Sequence, residues 1–134
     1  MDTLQISDIR AYGYTGALPE ENVLGQWFRV DLTLQIDLQK AGATDVLADT
    51  HDYRGAIAAV HTLIQKQPFK LIESLASEIA KAVLQTDERL SQVTVKLTKL
   101  AAPIPDFTGT IAVEIVRDRS HLGQPAPASL SRSA

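Results

Sequence analysis

The sequence predicts an α+β protein in which two helices cover one face of a four-stranded antiparallel sheet. Three observations predict this fold class. Residues 26–39 follow an alternating pattern, in which Phe28 and the even positions after it are apolar and most odd positions are polar. Two segments in the middle of the chain, residues 53–67 and 72–85, repeat apolar residues at helical spacing. Alternating segments flank the helices, so the element order is β-β-α-α-β-β.

The first strand is predicted within residues 3–18, with a change of phase near Ser7 and Asp8. The apolar residues before and after that point take opposite parities: Leu4, Ile6, Ile9 and Ala11. A β-bulge would explain this change, because one extra residue moves the following side chains to the other face. Residues 18–22, which include Pro19, are predicted to form a polar loop.

The second strand carries the clearest pattern in the chain. Apolar side chains occupy the even positions, at Phe28, Val30, Leu32, Leu34, Ile36 and Leu38. The odd positions are mostly polar, which is typical of a long strand with one buried face.

The two helices follow a connection at residues 41–52, in which a helical turn is expected at 43–47. Pro68 ends the first helix. The second has a core stripe at Ile72, Leu75, Ala76, Ile79, Ala80 and Val83, with Glu73 in its first turn. A carboxylate there is favoured by the helix dipole.

The remaining strands are predicted at residues 91–100 and 109–117. Residues 1–119 therefore form a single domain. Residues 120–134 are small, polar and proline-containing, and we expect a disordered tail.

Composition narrows the function further. The 134 residues carry a net charge of −3 with scattered basic residues, which argues against nucleic-acid or membrane partners. The absence of cysteine removes disulfides and thiolate sites. The three histidines, His51, His61 and His121, include no H-x-H pair, so no metal is expected. A cytoplasmic protein is the simplest interpretation.

A four-stranded sheet leaves two strand edges open, and open edges invite pairing with another chain. Joining the edges of neighbouring subunits into a closed barrel would remove them. We therefore expect a ring-shaped homo-oligomer.

Lys99 is the most informative single residue. It follows Val93, Val95 and Leu97 in the apolar phase of a strand, just before the Pro103-Ile104-Pro105 segment ends the ladder. An ammonium in this place either extends its end to solvent or transfers protons. Three other ionisable residues stand out by position: Glu21, Tyr53 and Glu73. Each also has an ordinary interpretation, as loop surface, helix anchor or dipole partner.

Together these residues lie in segments that resemble the dihydroneopterin aldolase family. The resembling segments are Tyr12–Leu18 (YGYTGAL), Glu21-Asn22, Gly25-Gln26, Val30-Asp31-Leu32, Asp49–Tyr53 (DTHDY), Leu71–Ala76 (LIESLA), and Thr98-Lys99 with Ala102-Pro103-Ile104. They fall in order from about residue 4 to residue 119 without a large insertion. Each segment is weak alone, and the set is specific.

The resemblance implies the tunnelling fold, in which four subunits form a sixteen-stranded barrel and two rings usually stack into an octamer. It implies active sites between neighbouring subunits and a pterin substrate. The reaction is a retro-aldol cleavage of 7,8-dihydroneopterin in folate biosynthesis, catalysed by an aldehyde-lyase without cofactor, metal or Schiff base. Many members also epimerise the substrate.

The resemblance also assigns roles to residues. Lys99, Tyr53 and Glu21 are the catalytic candidates, and Glu73, Ile72, His51 and Glu21 are the substrate-binding candidates. Three positions depart from the common pattern. Thr15 stands where many members have histidine, Leu100 where proline often follows the lysine, and His51 where many members have a small aliphatic residue.

Two alternatives remain open from the sequence. One is a dihydroneopterin triphosphate epimerase on the same fold, which would need basic residues around the triphosphate. The other is a ring protein that binds pterin without turnover, although the presence of all four ionisable groups argues against it. A third possibility, a zinc-dependent relative of the pyruvoyl-tetrahydropterin synthase type, is disfavoured. It would need three convergent histidines, and the three in this chain include no H-x-H pair.

Overall fold

The computed structural model describes residues 1–66 and 68–123. One antiparallel sheet has the strand order β1-β2-β3-β4, with β1 at Asp2–Gly13, β2 at Gln26–Ile36, β3 at Gln92–Lys99 and β4 at Ile111–Asp118. The longer helices are α3 (Arg54–Lys66) and α4 (Ile72–Gln85). Two short helices are α1 (Pro19–Leu24) and α2 (Gln39–Thr44), and 3₁₀ turns form at Leu47–Asp49 and Arg119–His121. The predicted α+β architecture is confirmed.

The core lies between the sheet and the helix pair α3 and α4. The even-numbered residues of β2, from Gln26 to Ile36, are all buried, as their alternation predicts. The predicted stripe of α4 is buried along its whole length. Both helices therefore lie against the same face of the sheet, and its other face carries mainly polar side chains.

The predicted bulge in β1 is confirmed. The pairing of β1 with β2 shifts between Ile6 and Ile9, and Asp8 adopts a φ of 60°. The Asp8 amide donates to Asp31 Oδ1 over 2.8 Å, so a side chain of β2 satisfies the donor that the ladder leaves out. This irregularity lets both halves of β1 direct apolar residues into one core.

The prediction of a loop at residues 18–22 is wrong, because these residues belong largely to helix α1. Pro19 occupies the first helical position, where its missing N–H costs nothing. Glu21 accepts the Leu18 amide at 3.3 Å and so caps the same helix. The proline that suggested a loop is therefore a helix start signal.

The first two strands are also shorter than predicted. Strand β1 ends at Gly13, because the next residues bond elsewhere. The Gly16 amide donates to Phe69 O at 2.9 Å, and Thr15 Oγ1 accepts the Phe69 amide at 3.0 Å. Strand β2 ends at Ile36, since Leu38 is the N-cap of α2, which begins at Gln39.

The two ends of the sheet carry different residues. We call the end that contains Gly13, Gln26 and Lys99 the proximal end. The strand pairings place these three residues together, and the turn from α3 to α4 lies beside them through Phe69. We call the opposite end, where α3 begins and α4 finishes, the distal end. Helix α3 has 13 residues, so its two ends lie about 20 Å apart.

Strands β1 and β4 each have one neighbour in the sheet formed by the described chain, which leaves an edge on either side. The ring that would close these edges stays a prediction. Within the ranges that the structure describes, no helix has the length and apolar character that crossing a bilayer requires. A cytoplasmic location likewise stays a prediction from the sequence.

The predicted tail begins with ordered structure. Asp118 caps the 3₁₀ turn at Arg119–His121, where its Oδ1 accepts the Ser120 amide at 2.9 Å. Residues 124–134 lie outside the described residues, so the disordered tail and the domain boundary at residue 119 stay predictions.

We predict that Gly13→Ala destabilises the fold by about 1–3 kcal/mol, because the new methyl group overpacks a closed site. A Cβ there would clash with the Ile64 carbonyl and lie 2.9 Å from Ile64 Cγ2. Urea unfolding measures the free energy. Gly42→Ala is the matched control, because it lies in α2 with no described atom within 4 Å of its new Cβ. Equal stability of the two variants would contradict this account.

Candidate active site

Lys99 and Glu21 form an ion pair at the proximal end of the sheet. Lys99 Nζ lies 2.6 Å from Glu21 Oε2, and the two side chains are 14% and 2% exposed. Lys99 is in the inward phase of β3, where it pairs with Phe28 and Ile111 across the neighbouring strands. The predicted inward direction of this lysine is confirmed, and a small part of its side chain remains exposed.

The Glu21 carboxylate is held by several donors. Gln26 Nε2 donates to Oε2 at 2.9 Å, and the Leu18 amide donates to Oε1. Burial would raise the pKa of Glu21, but the hydrogen bond and charge of Lys99, together with these donors, hold that pKa below its ordinary value. Glu21 is therefore ionised at neutral pH. A Cβ at Gly16 would lie 2.5 Å from Glu21 Oε1, so this approach requires glycine.

Gln26 belongs to this cluster, although sequence reasoning did not select it as a site residue. Its Oε1 is buried and has no hydrogen-bond partner within residues 1–66 and 68–123. The signal was present in the sequence, because Gln26 stands in the even, apolar phase of β2. A polar residue in a buried phase needs a partner, and here that partner is a catalytic candidate.

Ile72 and Glu73 begin helix α4 at the same end of the sheet. Ile72 is buried against the core, and Glu73 is exposed. The preceding turn is tied to the loop beside Glu21, since the Gly16 amide donates to Phe69 O. This places a solvent-facing carboxylate at the same end as the Lys99–Glu21 pair.

Tyr53 and His51 lie at the distal end. Tyr53 precedes α3 and is 51% exposed, and His51 is 1% exposed with Nδ1 at 3.2 Å from Asp87 Oδ2. Asp87 follows α4, so these contacts belong to the end opposite Lys99. One protomer therefore does not bring Tyr53 and His51 to the Lys99–Glu21 pair.

Two of the three positions that depart from the family's common pattern, Thr15 and Leu100, have structural roles. Thr15 is fully buried, and its hydroxyl accepts the Phe69 amide, so it holds the loop beside Glu21. The Leu100 amide donates to Trp27 O at 3.2 Å, which extends the β2–β3 pairing by one bond beyond Lys99. A proline at position 100 has no N–H for this bond.

The arrangement is suited to proton transfer. A carboxylate, an ammonium and an amide lie in one partly shielded cluster, with a second carboxylate at the same end of the sheet. Proton donors and acceptors that are held at fixed distances act as general acids and bases.

The model of the dihydroneopterin aldolase family matches residues 4–116 of this chain. A probable dihydroneopterin aldolase of Synechocystis sp. is 56% identical over 119 residues, covering 89% of this chain and all of that protein. The dihydroneopterin aldolase of Bacillus subtilis is 42% identical over 120 residues, covering 90% of this chain and all of that protein.

Solved structures agree with these matches. The crystal structure of Escherichia coli dihydroneopterin aldolase in complex with neopterin has a TM-score of 0.79 and 25% sequence identity. The alignment covers 87% of this chain and 99% of that chain. The family match includes β2, β3, both long helices and all four ionisable candidates, together with all but two residues of β1 and of β4. This chain belongs to the dihydroneopterin aldolase family.

Proposed function

We propose that this protein is an aldehyde-lyase of folate biosynthesis that cleaves 7,8-dihydroneopterin into 6-hydroxymethyl-7,8-dihydropterin and glycolaldehyde. The observation that carries the proposal is the Lys99–Glu21 pair, which lies at the same end of the sheet as the exposed Glu73. Family membership supplies the pterin substrate class. The pair supplies the acid and base groups that the reaction needs.

The reaction requires one bond to break and two protons to move. A base removes the proton from the hydroxyl on the second side-chain carbon, and the bond between the first and second carbons then breaks. The electron pair enters the C=N bond of the pterin ring, and the first carbon later takes up a proton. Because the ring accepts the electrons, no lysine imine, metal or cofactor takes part.

Lys99 transfers protons at the ring nitrogen and, through water, at the reacting hydroxyl. Its side chain is largely buried and keeps a small exposed part. Glu21 holds the ammonium in place and contacts the substrate hydroxyls. Gln26 holds Glu21 in turn, through the hydrogen bond from its Nε2 to Glu21 Oε2.

Glu73 binds the flat edge of the pterin that carries the amino and amide groups. This edge offers two parallel N–H donors, as a guanidinium does, and a carboxylate accepts both in a bidentate pair. Ile72 provides an apolar contact beside it.

Tyr53 reaches this site from a neighbouring subunit, together with the backbone of His51, whose imidazole is buried in its own chain. They lie at the distal end, about one helix length from Lys99 of their own chain, so a second chain must supply them. The open edges of β1 and β4 allow sheets to join side by side into a ring. Exposed aromatic residues near the proximal end, Trp27 and Tyr14, suit burial against another subunit. Tyr53 then transfers a proton to the enol intermediate.

We expect Glu73→Ala and Lys99→Ala to separate binding from turnover. Loss of a charge-assisted bidentate contact should weaken pterin binding by about tenfold to a hundredfold in Glu73→Ala. Loss of the acid–base group in Lys99→Ala should lower kcat by about a thousandfold with near-normal binding. Fluorescence titration with neopterin measures binding, and glycolaldehyde release measures turnover.

Glu78→Ala is the control for this pair of variants, because Glu78 lies on the same helix as Glu73 in a half-exposed pair with Lys81. It should bind and turn over normally. The opposite pattern, with Lys99→Ala losing binding and Glu73→Ala only rate, would overturn the assigned roles. Epimer formation without glycolaldehyde would favour the epimerase instead.

Subunit mixing tests whether the site is shared between chains. Lys99→Ala and Tyr53→Phe homo-oligomers should each be nearly inactive. Random mixed oligomers should regain about a quarter of the wild-type sites, since an intact site then takes Lys99 from one variant and Tyr53 from the other. Activity is measured after the variants are unfolded together and refolded. No recovery, with oligomers that form normally, would show that one chain builds the whole site.

The Glu21–Lys99 pair should make stability depend on pH. The pKa of Glu21 is lowered from 4.5 by folding, so the stabilisation is present above that pH and is lost as the pH falls through the lower folded value. Thermal midpoints between about pH 3 and about pH 7 should show the advantage of wild type over Glu21→Gln shrinking in acid. The exposed neighbour variant Glu20→Gln is the control. A constant difference for Glu21→Gln would contradict the ionised pair.

A further inference from the structure

Arg89 joins the turn after α4 to the segment that precedes Tyr53. Its Nη1 donates to Ala48 O at 2.9 Å, and its Nη2 donates to Thr50 O at 2.8 Å. The same guanidinium donates to both oxygens of Asp87, at 3.0 Å from Nε and 2.9 Å from Nη2. A planar fork with fixed donors can satisfy all four acceptors together, which a lysine cannot.

Asp87 holds the same segment through a side chain. Its Oδ2 lies 3.2 Å from His51 Nδ1. The Arg89 side-chain bonds lower the pKa of Asp87 to about 2, so its carboxylate is ionised and accepts a hydrogen bond from the His51 Nδ1–H. Asp87 and Arg89 therefore hold residues 48–51 by hydrogen bonds to two backbone carbonyls and one imidazole. We call these two residues the Asp87–Arg89 clamp.

The turn that carries the clamp is itself anchored. Arg119 Nε donates to Leu90 O at 2.9 Å, and Arg119 Nη2 donates to Asp87 O. These bonds connect the turn to the end of β4. The clamp is thus supported from the sheet rather than from the loop it holds.

The presence of a histidine at position 51 indicates that the contact with Asp87 has a role beyond packing. The imidazole is 1% exposed, and its Nε2 has no hydrogen-bond partner among the described residues. A buried polar atom without a partner is destabilising. An apolar residue would avoid this cost, so stability alone does not account for a histidine here. What the histidine adds is a second, directional attachment of this segment to Asp87.

We propose that Asp87 and Arg89 are positioning residues, which set the place of Tyr53 against the neighbouring subunit's site. Tyr53 follows the clamped segment by two residues, and its carbonyl accepts the Ile57 amide at 3.0 Å as α3 begins. Its side chain is half exposed, and its hydroxyl makes no hydrogen bond within the part of the chain that the structure describes. The direction of the phenol therefore follows from the backbone on either side of it. The inference rests on the proposed function, in which Tyr53 transfers a proton.

Arg89→Ala and the conservative Asp87→Asn test the clamp in the full-length oligomer. We expect kcat for glycolaldehyde release to fall roughly tenfold with KM nearly unchanged, because misplacement of a proton-transfer group slows the reaction more than it weakens binding. Hydrogen exchange of residues 46–53 should become faster in both variants. Lys40→Ala is the matched control, since it removes only the ion pair between the exposed Lys40 and Asp49 of the same segment, 3.3 Å apart.

A double variant distinguishes positioning from general loss of stability. In a Tyr53→Phe background, Arg89→Ala should lower kcat no further, because its effect passes through the phenol. An additional tenfold loss there, or wild-type kcat in both single variants, would overturn the clamp while leaving the proposed function intact. Wild-type protein that releases no glycolaldehyde would overturn the proposed function, and the clamp's catalytic role with it.

Discussion

The structure of the site depends on one largely buried ion pair between residues 78 positions apart in the chain, Lys99 and Glu21. A buried charge is tolerated only when it is paired and hydrogen-bonded, so each partner needs the other. The end of β3, the first turn of α1 and Gln26 of β2 must therefore meet at one point. Gly16 completes this requirement, because any side chain there would displace the carboxylate. Several local features of the fold, including the start of α1 at Pro19, place Glu21 where it can pair with Lys99.

The length of α3 imposes the second constraint. Helix α3 is about 20 Å long. Tyr53 stands at its start, at the distal end, whereas Lys99 of the same chain lies at the proximal end. If both act on one pterin, then assembly is part of the catalytic apparatus rather than an addition to it. The Asp87–Arg89 clamp fits this interpretation, because a residue presented to another subunit has few supports beyond the backbone that carries it. Positioning across an interface is then a matter of local rigidity at the distal end.

Much of the fold was predictable because its signals are local. The alternation of β2 and the stripe of α4 record directly which face of each element meets the core. The bulge at Asp8 was visible as a change of parity. Helix α1 was missed, because proline marks both loops and helix starts. The role of Gln26 was missed, although a polar residue stands there in the apolar phase of β2. Asp87 and Arg89 were missed because the residues that they hold lie about 40 positions away in the chain.

The sequence by itself determined the order and type of the long elements, the inward phase of Lys99, and the family resemblance. Each of these depends on the periodicity or identity of neighbouring residues. Only the tertiary structure decided that Lys99 pairs with Glu21, that Glu73 shares their end of the sheet, and that Tyr53 and His51 lie at the other end. Such facts depend on how strands pair and how helices cross a sheet. Those arrangements arise from packing over the whole chain, and no single segment carries them.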